Sequence, residues 1–335
     1  GMESERAKAV GTYLGVLVNR LADYNSTGCV FEVTGEFIAH TFGRQALPMV
    51  WDFVELAPFG EASGSPKGAL DWIVGVVEAQ IGFGLPATVS RGSATALPWP
   101  DASFDVVITD PPYYDNVPYA DISDFFYVWL RRSLQSVYPE LFGTLLVPKA
   151  EELVASPYRH GSKDRAEQFF LDAMTNAIHA MAARTHAGVP ITIYYAFKQA
   201  EDDASGTSST GWETFLDAVI RAGCAISGTW PMRTEYTGNL KKNMSALASS
   251  IVLVCRLRPA DAPMTTRKDF LTALRRELPP ALRHLQRSNI APVDLAQASI
   301  GPGMAVFSRY SRILETDGKP MTVRTALQLI NQTLD

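Results

Sequence analysis

Phe104-Asp105-Val106-Val107-Ile108-Thr109-Asp110-Pro111-Pro112-Tyr113 is the stretch that decides how the chain is read. A short apolar run rich in β-branched residues predicts a buried strand. Two consecutive prolines end it. Neither has an N–H to give to a ladder, and the residue before a proline is held extended. Asp110 is therefore expected at the carboxyl end of a strand, where open α/β sheets place their ligands.

Strand and helix signals alternate outward from this point. Upstream, residues 4–24 carry Ala7, Val10, Leu14, Leu17, Val18 and Leu21 on one helical stripe. A helix is expected at 69–80 and a short strand at 87–90. Downstream, helices are expected at 121–134, 165–184 and 212–222, with strands at 190–197, 225–233 and 249–256. The last two strands have no helix between them, which predicts an antiparallel closing pair. After Pro259 the pattern is mostly helical, at 266–278, 280–287 and 322–334. Three parts result: an N-terminal helical and irregular segment (1–86), an α/β core (87–258) and a helical C-terminal appendage (259–335). Abrupt ends lead us to expect a piece of something longer.

Composition removes several classes. The 335 residues are 47% hydrophobic and 19% charged, which excludes disorder. Cys29, Cys224 and Cys255 are far apart in sequence, so no disulfide scaffold or cysteine-rich metal site is expected, and the five histidines lack ligand spacing. No apolar run reaches the roughly 18 residues of a membrane helix, and no membrane partner is expected. Net charge is −5, but residues 256–335 hold 12 Lys and Arg against 7 Asp and Glu. A basic end on an acidic body is either a phosphate-facing surface or a solvated helix face.

The tetrad Asp110-Pro111-Pro112-Tyr113 has its own chemical logic. The lone pair of an exocyclic amine is delocalised into its base ring. Hydrogen bonds accepted by the Asp110 carboxylate and the Pro111 carbonyl localise that lone pair toward an incoming methyl group. Pro112 helps to hold the carbonyls rigidly, which is preorganisation for the transition state. Tyr113 offers a flat face to a base turned out of its helix. A sulfonium donor leaves as a neutral thioether, so positioning matters more than proton transfer.

The surroundings of the tetrad carry a resemblance. Residues 109–121, Thr-Asp-Pro-Pro-Tyr-Tyr-Asp-Asn-Val-Pro-Tyr-Ala-Asp, run into Ser123-Asp124-Phe125-Phe126-Tyr127-Val128-Trp129-Leu130-Arg131-Arg132. This stretch resembles the motif of a family of large prokaryotic adenine-specific DNA methylases, some with a zinc ribbon. Stretches at 46–55, 194–199, 209–213, 230–235 and 300–304 are also similar, so the resemblance spans nearly the whole chain. It implies a Rossmann-like S-adenosylmethionine-dependent methyltransferase sheet, with S-adenosylmethionine as donor and DNA as partner. The implied reaction is methylation of adenine N6, less readily cytosine N4, in a cytoplasmic restriction-modification or phage-defence setting. RNA and protein amides remain open as acceptors.

The chain departs from the family at the donor loop. The usual D-P-F-x-G-x-G is approached only by residues 58–64, Pro-Phe-Gly-Glu-Ala-Ser-Gly, and Ser93 stands where an Asp is usual. Too few elements fit between Gly64 and Phe104 for a full sheet. The donor site is expected to need a missing N-terminal segment or a companion subunit, and the chain alone to bind donor weakly. Asp52, Glu55, Phe59 and Gly64 are the cofactor candidates within the chain. Candidate nucleic-acid contacts are Tyr114, Asn116, Lys198, Gln199, Arg233, Arg275 and Arg276, with Arg256, Arg258, Arg283 and Arg287 as further phosphate candidates. The rival reading is a non-catalytic remnant that binds nucleic acid or protein.

Overall fold

A computed structural model describes residues 2–43, 46–47, 49–62, 64–115, 117–195, 210–233, 249–287 and 292–334. Contacts divide the chain into two units that interleave in sequence: residues 1–90 with 117–152, and residues 91–116 with 153–335.

The first unit is built on α1 (Met2–Tyr24), a small antiparallel pair β1 (Phe31–Glu32) and β2 (Phe37–Ile38), α2 (Pro66–Ala79) and, after the excursion into the second unit, α3 (Tyr119–Leu134). Helix α2 starts three residues earlier than its apolar pattern. Ser65 caps it by accepting the Gly68 N–H, and Pro66 supplies a preset φ at the first turn. Gly15 of α1 faces Leu134 of α3, where an added Cβ would lie 2.9 Å from that side chain. Helix α3 buries Tyr127 and Leu134 against Phe142. Its Asp124 accepts the Val147 N–H at 2.9 Å and the Lys149 ammonium at 2.7 Å, which pins the following loop. No strand forms at 87–90, where Val89 is solvent-exposed and has no ladder partner.

The second unit is a mixed α/β layer. Its strands are β3 (Val107–Thr109), β4 (Ile191–Tyr195), β5 (Cys224–Arg233) and β6 (Ser249–Leu257), and the sheet order is β3-β4-β6-β5. Strand β3 runs parallel to β4, with Val107 opposite Ile191 and Thr109 opposite Ile193. Strand β6 is antiparallel to both β4 and β5, so the expected closing pair forms and its second member lies inside the sheet. The expectation of a fully buried first strand is corrected. β3 is shorter than its apolar run and lies at the sheet edge, leaving Val106 and Ile108 57% and 65% exposed.

Helices cover the sheet from α4 (Pro157–His160) onward: α5 (Lys163–Arg184), α6 (Thr210–Arg221), then, after short β7 (Met264–Thr266), α7 (Arg267–Arg287), α8 (Pro292–Ser308), short β8 (Arg312–Leu314) and α9 (Val323–Leu334). Ser162 caps α5 by accepting the Arg165 N–H. Phe170, Met174 and Ile178 of α5, Phe215 and Val219 of α6, Phe270 and Leu274 of α7, Met304 of α8 and Ile330 of α9 share one core with Ile193, Leu253 and Cys255. The segment expected as an appendage thus packs into the same core as the sheet.

Two expected helices are in fact one: α7 continues through Pro279 and Pro280. Helix α8 has no clean apolar period because its sequence serves close approach. A Cβ at Gly301 would fall 1.7 Å from Thr229 Oγ1 of β5, and one at Gly303 would fall 2.6 Å from Ile330 of α9. Cys224 and Cys255 are buried, and burial pushes the Cys224 thiol up to about 11 and the Cys255 thiol further.

Two stability predictions follow from this packing. Gly301→Ala overpacks α8 on β5 and is expected to cost about 1–3 kcal/mol or more. Gly11→Ala in mid-α1, with nothing within 4 Å, is expected to stabilise by about 0.5–1 kcal/mol. Urea unfolding of both variants checks the opposite signs. The second concerns acid. Burial opposes ionisation of Asp124, but hydrogen bonds from Lys149 and Val147, with the ammonium charge, outweigh it and hold the carboxyl below its ordinary range. Its contribution is complete above the unfolded-state value, near 4, and is lost as pH falls through the lower folded value. Asp124→Asn is expected to cost about 1–3 kcal/mol at pH 7. It should also flatten the acid limb of a stability–pH curve.

Candidate functional site

Strand β3 ends at Thr109, and Asp110 is the first residue beyond it, exposed to solvent. The chain then turns through Pro111 and Pro112, both partly buried, to Tyr113. The Tyr113 hydroxyl donates to Asp110 Oδ1 at 2.7 Å. That bond orients the carboxylate and leaves Oδ2 as the acceptor available to another donor.

Tyr113 rests on an aromatic stack. Its ring meets Tyr195 of β4 edge-on, with centroids 5.3 Å apart at 73°. Tyr195 lies flat on Phe215 of α6 at 3.9 Å and 11°, and Trp212 stacks beside both. The Tyr195 hydroxyl lies beside the Tyr114 backbone. Burial, followed by the nearby charge of Asp115, pushes that hydroxyl far above its ordinary value, so Tyr195 stays neutral.

Tyr114 is the hinge of the turn. Its φ of 39° is left-handed, a conformation uncommon for an aromatic residue, and three contacts hold it there. Its carbonyl accepts the Ala155 N–H at 2.8 Å, its ring packs edge-on against Phe170, and Gly211 leaves room for it. A Cβ at Gly211 would lie 3.0 Å from Tyr114. Burial first, then Glu167 and Asp115, push the Tyr114 hydroxyl up to about 12. Tyr114 was expected to touch nucleic acid, but its ring is packed against α5.

The other expected residues fall elsewhere. Asp52, Glu55, Phe59 and Gly64 belong to the first unit, whereas the tetrad belongs to the second. Asp52 and Glu55 are exposed and Phe59 is completely so. Gly64 has φ +90° and is buried with Tyr24 against its α-carbon, where a Cβ would come within 2.6 Å. That glycine serves contact with α1 and leaves no room for a ligand at its α-carbon. Asn116, Lys198 and Gln199 lie outside the described residues, as does the Arg233 side chain at the end of β5.

Of the arginines, Arg276 is paired with Glu277 and Arg275 is exposed. Arg256 and Arg258 are engaged with the fold: Arg256 donates to the Gly188 carbonyl, and Arg258 to the carbonyls of Ile220, Ser308 and Tyr310. Among the described residues no cluster of His, Cys, Asp and Glu suits a metal, and no helix is long and apolar enough to cross a membrane.

Sequence reading missed the Tyr195–Phe215–Trp212 support of Tyr113. The signal was present in the alternation Ile191, Ile193, Tyr195 facing residues 212, 215, 216 and 219 of a helix. Comparison with models of protein families, with curated proteins and with solved structures finds no match to the chain.

Tyr195→Phe keeps the stack and removes the hydroxyl that lies beside the tetrad turn. It is expected to lower stability by about 1 kcal/mol. Tyr194→Phe, on the opposite face of β4, is expected to stay within about 0.5 kcal/mol of the parent. Chemical unfolding of the two variants reads the difference.

Proposed function

We propose that Asp110–Tyr113 form the acceptor half of an amino-methyltransferase site, taking the exocyclic amine of adenine in DNA, with cytosine as the less favoured base. One observation carries the reading: an exposed carboxylate, oriented by the Tyr113 hydroxyl, at the carboxyl end of a parallel strand. Asp110 Oδ2 and the Pro111 carbonyl accept from the amine and localise its lone pair. Tyr113, supported from behind by Tyr195, presents an aromatic surface to the base, a contact worth about 1–3 kcal/mol. The parallel β3–β4 pair followed by an antiparallel closing pair supports a Rossmann-like sheet of methyltransferase type.

S-adenosylmethionine is the methyl donor in this reading, and it supplies an activated methyl carbon when bound. Tyr24 fills the space at Gly64, and in this reading a wall beyond residues 52–64 completes the donor site. The non-catalytic alternative, a module that binds nucleic acid without turning it over, draws on the same crowding at Gly64.

The acceptor half can be tested without the donor. The probe is a DNA duplex with one unpaired adenine, compared with the same duplex carrying purine, which lacks the amine. The chain is expected to prefer adenine about 10-fold, as loss of a hydrogen bond to a charged acceptor costs about 1.5 kcal/mol or more. Asp110→Ala should erase the preference, and Tyr113→Ala should weaken both duplexes and, by freeing the carboxylate it orients, reduce the preference as well. Equal affinity of the parent chain for the two duplexes would remove Asp110 from amine recognition. Calorimetric titration of the chain alone with S-adenosylmethionine is expected to give little heat. Micromolar affinity, about −8 kcal/mol, would mean a self-sufficient donor pocket.

A further inference from the structure

The basic C-terminal quarter resolves into two kinds of cation. Several are already satisfied within the fold. Arg276 and Arg309 share Glu277, whose carboxyl is held below its ordinary range by the Arg309 hydrogen bond first and by Arg276, against the opposing effect of burial. Arg267 is paired with Glu315 and Arg324 with Glu213. Others are exposed and have no carboxylate ion pair among the described residues: Arg312 on β8, and Lys268, Arg275, Arg283 and Arg287, which all lie on α7.

Helical periodicity places the four on α7 within about a third of the helix circumference. Phe270, Leu274 and Leu278 occupy the opposite, buried side. The stripe runs from residue 268 to 287, about 30 Å at 1.5 Å per residue. Asp269, bonded to Thr266, is the carboxylate at its margin.

We infer that this face of α7 is a docking surface for the phosphate backbone of double-stranded nucleic acid. Three of the four cations are guanidiniums, which take phosphate oxygens two at a time. Arg275 also lines an open groove with Gln332 of α9, whose amide adds a neutral donor. A membrane-surface helix would carry bulky apolar residues beside its cations. None of the exposed large hydrophobic side chains lies on α7, so the chemistry is that of a soluble polyanion. Repeating phosphates along a 30 Å line match four cations spread over that length better than a single acidic side-chain cluster does.

This surface rests on nucleic acid being the partner, and not on methyl transfer. The test is fluorescence anisotropy of a fully paired 30-base-pair DNA duplex from 50 to 200 mM salt. Each phosphate contact contributes about −0.9 to the slope of log K against log salt. Arg275→Gln/Arg283→Gln/Arg287→Gln is expected to reduce the steepness by about 2.7, with helix content unchanged by circular dichroism. Arg276→Gln/Arg309→Gln, which removes cations already held by Glu277, is expected to change it by less than about 1. An unchanged slope in the triple variant overturns the inference, as does an equal loss in the double variant. Competition by polyglutamate of the same charge as effective as by duplex would also overturn it, in favour of an acidic protein partner. The adenine-over-purine preference separates the two readings: the triple variant should keep it, and Asp110→Ala should lose it while keeping the salt slope.

Discussion

Tyr195 lying flat on Phe215 joins the sheet to its helical cover at the point where the tetrad turns. The same ring supports Tyr113 on one side, and its hydroxyl lies beside the Tyr114 backbone. A turn containing two prolines and a left-handed tyrosine lacks the ladder bonds that would otherwise fix it. Its geometry depends instead on contacts from β4, α5 and α6. The geometry of the turn after Asp110 is therefore supplied by aromatic packing from Phe170 to Phe215, 60 to 105 positions further along the chain.

Legibility in the sequence followed the strength of local rules. Strand β4, helices α1, α3, α5 and α6, and the antiparallel β5–β6 pair were readable because one apolar period dominates each of them. Strand β3 was located correctly and its burial misjudged, since nothing local distinguishes an edge strand from an internal one. Helix α8 escaped because Gly301, Pro302 and Gly303 answer to Thr229 and Ile330 across the core, a tertiary demand that suppresses helical propensity. Pro279 and Pro280 signalled a break that the surrounding packing of α7 overrides.

At the tetrad, the placement of Asp110 just beyond a strand was legible from four letters and an apolar run, because a proline pair dictates backbone direction wherever it occurs. The role of Gly64 was not. A glycine in a loop of the right composition signals a ligand cradle as readily as it signals a helix passing close by, and only the position of Tyr24 distinguishes the two. The basic residues show the same limit. Composition counted Arg276 and Arg283 alike, whereas Glu277 beside one of them makes them chemically different.

The interleaving of the two units has a consequence for synthesis on the ribosome. Residues 1–90 cannot finish their unit until 117–152 follow. By then β3 has already been made, and its neighbour β4 begins only at Ile191. A nascent chain paused near residue 150 would therefore carry one nearly complete unit and an unpaired, partly apolar strand in the other. That interval, rather than either finished unit, is where a chaperone would find its substrate.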